Sequence, residues 1–253
     1  MPGEIPIEKM WTEYAPIYRA LFSDRDFEGQ MNYLVSVADI SSGSRVLELF
    51  AGPAFHGRVL LDQGFEVTSL DQSSWMRDIA LVPSDRYIVA KLPLGLNAIA
   101  ANEKFDACLA LFFSLPFLED IEVESLIRVI KEQLKPGGRI LLELHEMRAP
   151  LAHPETTEIG SLGRKHVGLI SGHLGTAVFE SQVVEHKNGY AYVVNIIDVN
   201  TVHDHLRFVS RERVYTVQDI ETLAAHIGGL RFECIPTNPE LFPDALLVLL
   251  TKM

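Results

Sequence analysis

Cysteine is scarce: Cys108 and Cys234 are the only two in 253 residues, which rules out a disulfide framework. A reducing cytoplasm is therefore the default expectation for the chain's location. Cys108 sits within an apolar run and is expected to be inert core. Basic residues are also short. The chain has 22 Lys and Arg against 34 Asp and Glu, a formal net charge of −12. That balance argues against a nucleic-acid partner, because phosphates are normally met by a basic face. Long apolar runs are missing. The longest, 107–118, is too short to span a bilayer and contains Ser114 and Pro116, so no membrane partner is expected. Met1-Pro2-Gly3-Glu4 has no basic start and no apolar stretch behind it, so no signal peptide is expected. There is no internal repeat and no low-complexity segment. The composition, 47% hydrophobic and 22% charged, is that of a globular chain. Its length suits one α/β domain, or one domain with an insertion.

Two segments stand out. Glu48 closes the apolar run Val46-Leu47-Glu48-Leu49-Phe50, and the chain then turns through Ala51-Gly52-Pro53-Ala54-Phe55-His56-Gly57. A second apolar run, 65–70, ends at Asp71. A buried strand with a small-residue turn, followed by an acid after the next strand, suits an adenosine-containing cofactor. The turn brings backbone close to the ligand, and the second acid holds the ribose hydroxyls.

Elsewhere the pattern alternates. Apolar spacing predicts helix over about 5–38, strand over 45–50, helix over 54–63 and strand over 66–70. A short helix is expected at 74–80, a short strand at 87–90 and a nearly continuous apolar strand at 105–113, as in the covered centre of a parallel sheet. Helix at 123–134, a Lys-Pro-Gly-Gly turn at 135–138 and strand at 139–144 follow. Residues 145–175 read as loop or lid. The period then changes to two at 177–185, 191–200 and 205–215, with a turn at 187–189. A helix at 218–227 stops at Gly228-Gly229, and 230–235 and 246–250 close the pattern as a strand pair. The expected fold is α/β: a Rossmann-like, mostly parallel seven-stranded sheet with helices on both faces, plus a late antiparallel β insertion. The expected organisation is an N-terminal helical cap over 1–40, a core over 41–145 and 216–253, and a lid and insertion over 146–215 on the substrate side.

The segments VLELFAGPAFHG (46–57), FEVTSLDQSSWM (65–76), FDACLALFFSLPFL (105–118) and LKPGGRILLEL (134–144), in this order, resemble the class I S-adenosylmethionine-dependent methyltransferases. ERVYTVQDIETLAAHIGGLRFE (212–233) adds to the likeness. The small-molecule subgroup that methylates amino groups of metabolites and sugars is the most similar. The resemblance implies S-adenosyl-L-methionine as cofactor and a small-molecule substrate. Two departures are visible. Phe50 and Ala54 stand where the family has its first and third turn glycines, leaving Gly52. The stretch Ala90-Lys91-Leu92-Pro93 lacks the acid that commonly faces the adenine amino group, so adenine must be held by backbone or by another residue.

Carried onto this sequence, the resemblance assigns cofactor binding to Glu48, Ala51, Gly52, Pro53, Asp71, Gln72, Met76, Leu111 and Phe112. Glu48 orders the turn from beneath or meets the cofactor's amino group; its plainer reading is a buried carboxylate satisfied by backbone. Asp71 accepts two ribose hydroxyls, or else caps a helix. Gln72 and Met76 pack beside adenine, and Leu111 and Phe112 line the methionine end, with ordinary packing as the alternative. For catalysis or substrate anchoring the candidates are His145, directly after strand five, and Tyr14 and Tyr18, four residues apart on one helix face. His203 and His205 alternate on a strand with Asp204 between them. Two histidines without a third ligand do not make a metal site, and no metal is expected. Arg207 and Arg211 read as surface ion-pairing residues with a weaker claim on a substrate anion, and His56 as a cap of the helix after the turn. The expected activity is methyl transfer to an amine, less readily to a hydroxyl or carboxylate. The alternative is a protein of this fold that binds S-adenosylmethionine without transferring the methyl group. A homodimer built through the antiparallel strands is left open.

Overall fold

The computed structural model of the chain describes residues 4–100, 102–145, 161–167, 177–199 and 204–253, with backbone alone for 161–167, 177–186, 198–199 and 204–205. The first half runs β1 (Ile5–Pro6), α1 (Ala15–Phe22), α2 (Phe27–Val37), β2 (Arg45–Leu49), α3 (Phe55–Asp62), β3 (Glu66–Asp71), α4 (Ser74–Asp78), β4 (Tyr87–Val89), β5 (Phe105–Ala110) and α5 (Asp120–Gln133). The second half runs β6 (Leu134–His145), β7 (Ser161–Val167), β8 (Ala177–Lys187), β9 (Tyr190–Val199), β10 (Asp204–Arg213), α6 (Val217–Ile227), β11 (Leu230–Ile235) and β12 (Ala245–Lys252). Two compact units result: Met1–Arg25 with Met147–Val214, and Asp26–Glu146 with Tyr215–Met253. The N-terminal 1–40 segment is thus divided. Its first 25 residues cluster with the insertion, and α2 clusters with the core.

The larger unit holds a seven-stranded sheet in the order β11-β12-β6-β5-β2-β3-β4. β2 through β6 pair in parallel, while β12 runs antiparallel to both its neighbours. This is the expected Rossmann-like sheet. Period-two alternation sorts its side chains into two cores. Leu47, Leu49, Cys108, Ala110, Ile140, Leu142, Val248 and Leu250 pack with α5 and α6. Val46, Val67, Ala107, Leu109, Leu141, Leu247 and Leu249 pack with α2 and α3. Both faces are therefore covered, which is why the strands read as continuous apolar runs. Cys108 is core as expected, and burial pushes its thiol pKa up. The smaller unit holds a five-stranded sheet in the order β1-β10-β9-β8-β7, antiparallel apart from β1 on β10. Its 187–189 turn forms as expected, with positive φ at Asn188 and Gly189. Among the described residues no helix is long and apolar enough to cross a membrane.

Several elements differ from their sequence reading. The helical stretch expected over 5–38 is broken into a short strand, a 3-10 turn over Ile7–Trp11, α1 and α2. Pro16 sits in the first turn of α1, and Asp26 restarts the helix by accepting the Gly29 N–H at 2.8 Å. The strand expected to reach Phe113 ends at Ala110 because Phe112 and Phe113 adopt φ of 61° and 54°. The 135–138 turn lies inside β6 as a bulge. Register jumps there from Phe105↔Leu134 to Ala107↔Arg139. α5 begins at Asp120 rather than Val123, started by the Glu122 carboxylate accepting the Glu119 N–H at 3.0 Å. The 145–175 segment, read as loop, contains β7, whose backbone is satisfied by pairing with β8. Apart from His145, which ends β6, the rest of that segment lies outside the described residues.

Candidate functional site

The turn after β2 is the best-built polar site of the larger unit. Phe50, Gly52 and Ala54 all adopt left-handed backbone, with φ of 52°, 51° and 57°. The alternating conformation of a glycine-rich turn is therefore kept while two of its three glycines are gone. Relief of that cost at Ala54 should be measurable. Ala54→Gly is expected to raise the unfolding free energy by about 1 kcal/mol, since left-handed backbone costs an L-residue roughly 1–2 kcal/mol and glycine returns part of it as chain entropy. A urea titration with an unchanged or lower midpoint would refute the strain.

Three side chains hold the turn. Asp71, at the end of β3, accepts the Gly52 N–H at 2.9 Å through Oδ2 and the Ser73 N–H at 2.8 Å through Oδ1. Tyr87, the first residue of β4, donates its hydroxyl to the Gly52 carbonyl at 2.7 Å. Glu48 accepts the Gly57 N–H at 3.0 Å and the Ser69 hydroxyl at 2.6 Å. Ala54 offers no side-chain cap to α3, so Glu48 satisfies a first-turn amide from the neighbouring strand. Gly57 lies so close to this carboxylate that an added Cβ would stand 2.4 Å from Glu48 Oε2. His56 does not cap the helix by itself. It is buried, with Nε2 3.0 Å from Gln30 Oε1 and Nδ1 4.0 Å from Glu48 Oε1.

Burial pushes the Glu48 pKa up to about 7, opposed by the bonds from Ser69 and Gly57 and assisted by the charge on Asp71. Burial also raises Asp71. The sign for Glu48 follows directly. Between the unfolded value of 4.5 and about 7 the folded chain binds the extra proton, so stability falls as pH rises through that window and levels off above it. The total is roughly 3 kcal/mol. Glu48→Gln keeps an acceptor for Gly57 and removes the titration. Relative to the wild type it should gain about that amount between pH 4 and pH 8. Parallel urea titrations with no such divergence would show that Glu48 is not the titrating group.

The remaining candidates are distributed as follows. Ala51 and Pro53 are buried within the turn, Met76 is buried in α4, and Gln72 is exposed. Ser73, not Asp71, caps α4, accepting the Met76 N–H at 3.2 Å. Leu111 is buried, and the Phe112 N–H donates to Glu143 Oε2 at 2.6 Å. His145, at the end of β6, stacks on Phe113 with ring centroids 3.9 Å apart. Desolvation lowers its pKa to about 4. Tyr14 and Tyr18 belong to the other unit. Tyr14 precedes α1, its carbonyl accepting the Tyr18 N–H at 3.0 Å, and its ring meets Phe208 edge-on. Tyr18 packs on Phe22. Arg211 lies over the Tyr190 ring and Arg207 pairs with Glu4 at 3.6 Å. His203 and the side chains of Asp204 and His205 lie outside the described residues.

Sequence reasoning missed Ser69, Tyr87 and Glu143. Ser69 had a usable signal: it shares a strand with Asp71 two residues on. Tyr87 and Glu143 had none, because their partners are 35 and 31 residues away in the chain.

No family model matches the chain, and no curated protein matches it in sequence. Solved structures do match in fold. One is an amino pentose methyltransferase, CalS10 of Micromonospora echinaspora, solved with S-adenosylmethionine bound, at 15% identity and a TM-score of 0.69 over 95% of this chain and 97% of that one. A second is an S-adenosylmethionine-dependent methyltransferase of Clostridium acetobutylicum, at 17% identity and 0.65 over 95% and 98%. A third is the sugar N-methyltransferase KedS8 of a Streptoalloteichus species, at 15% identity and 0.67 over 94% and 92%. The chain therefore has the fold of the S-adenosylmethionine-dependent methyltransferases.

Proposed function

We propose that this chain is an S-adenosylmethionine-dependent methyltransferase acting on an amine of a small metabolite, with amino sugars the favoured class. The observation that carries the reading is the Gly52–Asp71 arrangement. Asp71 Oδ2 holds the Gly52 N–H and Oδ1 the Ser73 N–H, with the Gln72 amide also directed at the carboxylate; its remaining acceptor capacity suits a ribose hydroxyl. The turn supplies left-handed backbone at Gly52, where main chain can approach a ligand closely, and the resemblance adds Met76 and Pro53 to the cofactor side. These residues fit the cofactor. Glu48 acts beneath the turn as its brace, and Gln72, Ala51, Leu111 and Phe112 complete the cofactor side.

When bound, S-adenosylmethionine supplies an electrophilic methyl group, leaving alignment and exclusion of water to the chain. His145 supports an amine acceptor. With its pKa lowered to about 4 it is neutral and weakly basic, so it suits accepting a hydrogen bond rather than deprotonating a hydroxyl. An amine brings its own lone pair. The resemblance assigns acceptor recognition to Tyr14, Tyr18 and the 146–215 segment. The acidic charge balance supports a small-molecule partner over a nucleic acid, and the scarcity of cysteine supports a cytoplasmic location. The activities of the amino pentose and sugar N-methyltransferases that share this fold support the acceptor class.

Calorimetry with S-adenosylmethionine and S-adenosylhomocysteine, followed by label transfer to a panel of amino sugars, tests the reading. Binding with transfer is expected. Binding without transfer to any amine would favour a cofactor-binding protein of another role, and absence of binding would sink both.

A further inference from the structure

The geometry points to Tyr87 as a positioning residue of the cofactor turn, gripping the Gly52 carbonyl while Asp71 grips the Gly52 amide. The inference rests on the cofactor reading above and adds to it a residue outside the turn's own sequence. Gly52 sits in left-handed backbone between Phe50 and Ala54, two residues held in the same conformation without glycine's freedom. Locally the Ala54 N–H donates to the Ala51 carbonyl at 2.7 Å across the turn, while both flanking positions resist the conformation. The hold falls on the two peptide units that flank the Gly52 Cα. Asp71 Oδ2 takes the N–H at 2.9 Å and the Tyr87 hydroxyl takes the C=O at 2.7 Å.

Three features suit Tyr87 to this task. Its ring is buried with Ala51, Ala54 and Val82, so the hydroxyl has a fixed origin. Burial, with the nearby Asp71 and Glu48 charges, pushes the phenol pKa up, so it remains a donor throughout the working range of pH. The hydroxyl is also directed at the carbonyl rather than at Asp71, so it does not compete with a ligand for the carboxylate. A turn with three glycines can relax into this shape; here the tyrosine enforces it.

Tyr87→Phe removes the hydroxyl and keeps the ring. Binding of S-adenosylhomocysteine, followed by calorimetry at a temperature well below unfolding, is expected to weaken roughly fivefold to tenfold, the weight of one buried hydrogen bond. If methyl transfer is measured, KM for the cofactor should rise with kcat nearly unchanged. Amide hydrogen exchange over 51–57 should accelerate in the unliganded variant. A hydroxyl that only stabilises the fold would lower the urea midpoint and leave affinity, KM and exchange at 51–57 as in the wild type; that result overturns the assignment. Tyr87→Met, which fills the space without ring or hydroxyl, must show at least the same loss of affinity. A wild type that fails to bind the ligand defeats the cofactor reading and this inference with it. A wild type that binds, beside a Tyr87→Phe variant that binds equally well, defeats this inference alone.

Discussion

Asp71→Ala is expected to weaken S-adenosylhomocysteine binding by roughly 100-fold or more. A hydroxyl bond to a carboxylate, about 1.5–3 kcal/mol, supplies most of that loss. Alanine also releases the Gly52 and Ser73 amides, so the variant mixes lost ligand contact with a loosened turn. Asp71→Asn separates the two. It keeps one acceptor oxygen and turns a donor toward the other amide, and it should fall between wild type and alanine. The raised pKa of Asp71 gives a further sign. Affinity should fall on the acid side as the carboxylate protonates, and the alanine variant should not share that dependence. Calorimetry of the three proteins across pH is the measurement. Equal affinities would remove the ribose contact from the reading, whatever the fold.

Gly57→Ala should be strongly destabilising. Its Cβ would lie 2.4 Å from Glu48 Oε2 and 2.8 Å from Ser69 Oγ, closer than such atoms approach. The usual escape is rotation of the obstructing side chain. Glu48 has no such freedom: it is 3% exposed and fixed by bonds from Gly57 and Ser69. Moving it breaks both bonds and leaves a buried carboxylate poorly satisfied. Overpacking and the lost bonds together suggest about 3 kcal/mol. Glu48→Ala makes room for the methyl group, so the double variant should be markedly less destabilised than the sum of the single ones. Urea titration of the four proteins decides the matter, and strict additivity would mean that the contact is not the cause.

Glu48 and Asp71 were legible because each is an acid closing an apolar run, a placement that buried strands rarely tolerate without purpose. Gly52 was legible as the small residue in the turn between them. Their partners were missed. Tyr87 reaches Gly52 from β4, 35 residues away, and nothing in its local sequence marks that hydrogen bond; Ser69, two residues before Asp71, bonds Glu48 and had a signal that went unused. The break of the N-terminal helix had a visible signal, Asp26 three residues before Gly29, but apolar spacing outweighed it. β7 had none, since its strand character comes from pairing with β8.

By itself the sequence determined the layered α/β plan, because continuous apolar strands alternating with amphipathic helices bury their surface in essentially one way. It also determined where the acids of the turn would stand. Only the tertiary structure decided that Phe50 and Ala54 take a glycine's conformation. Backbone of that kind is unfavourable locally and persists only when the surrounding structure holds it, and here Asp71 and Tyr87 are brought to Gly52 by β3 and β4, while Glu48 braces the following helix from β2.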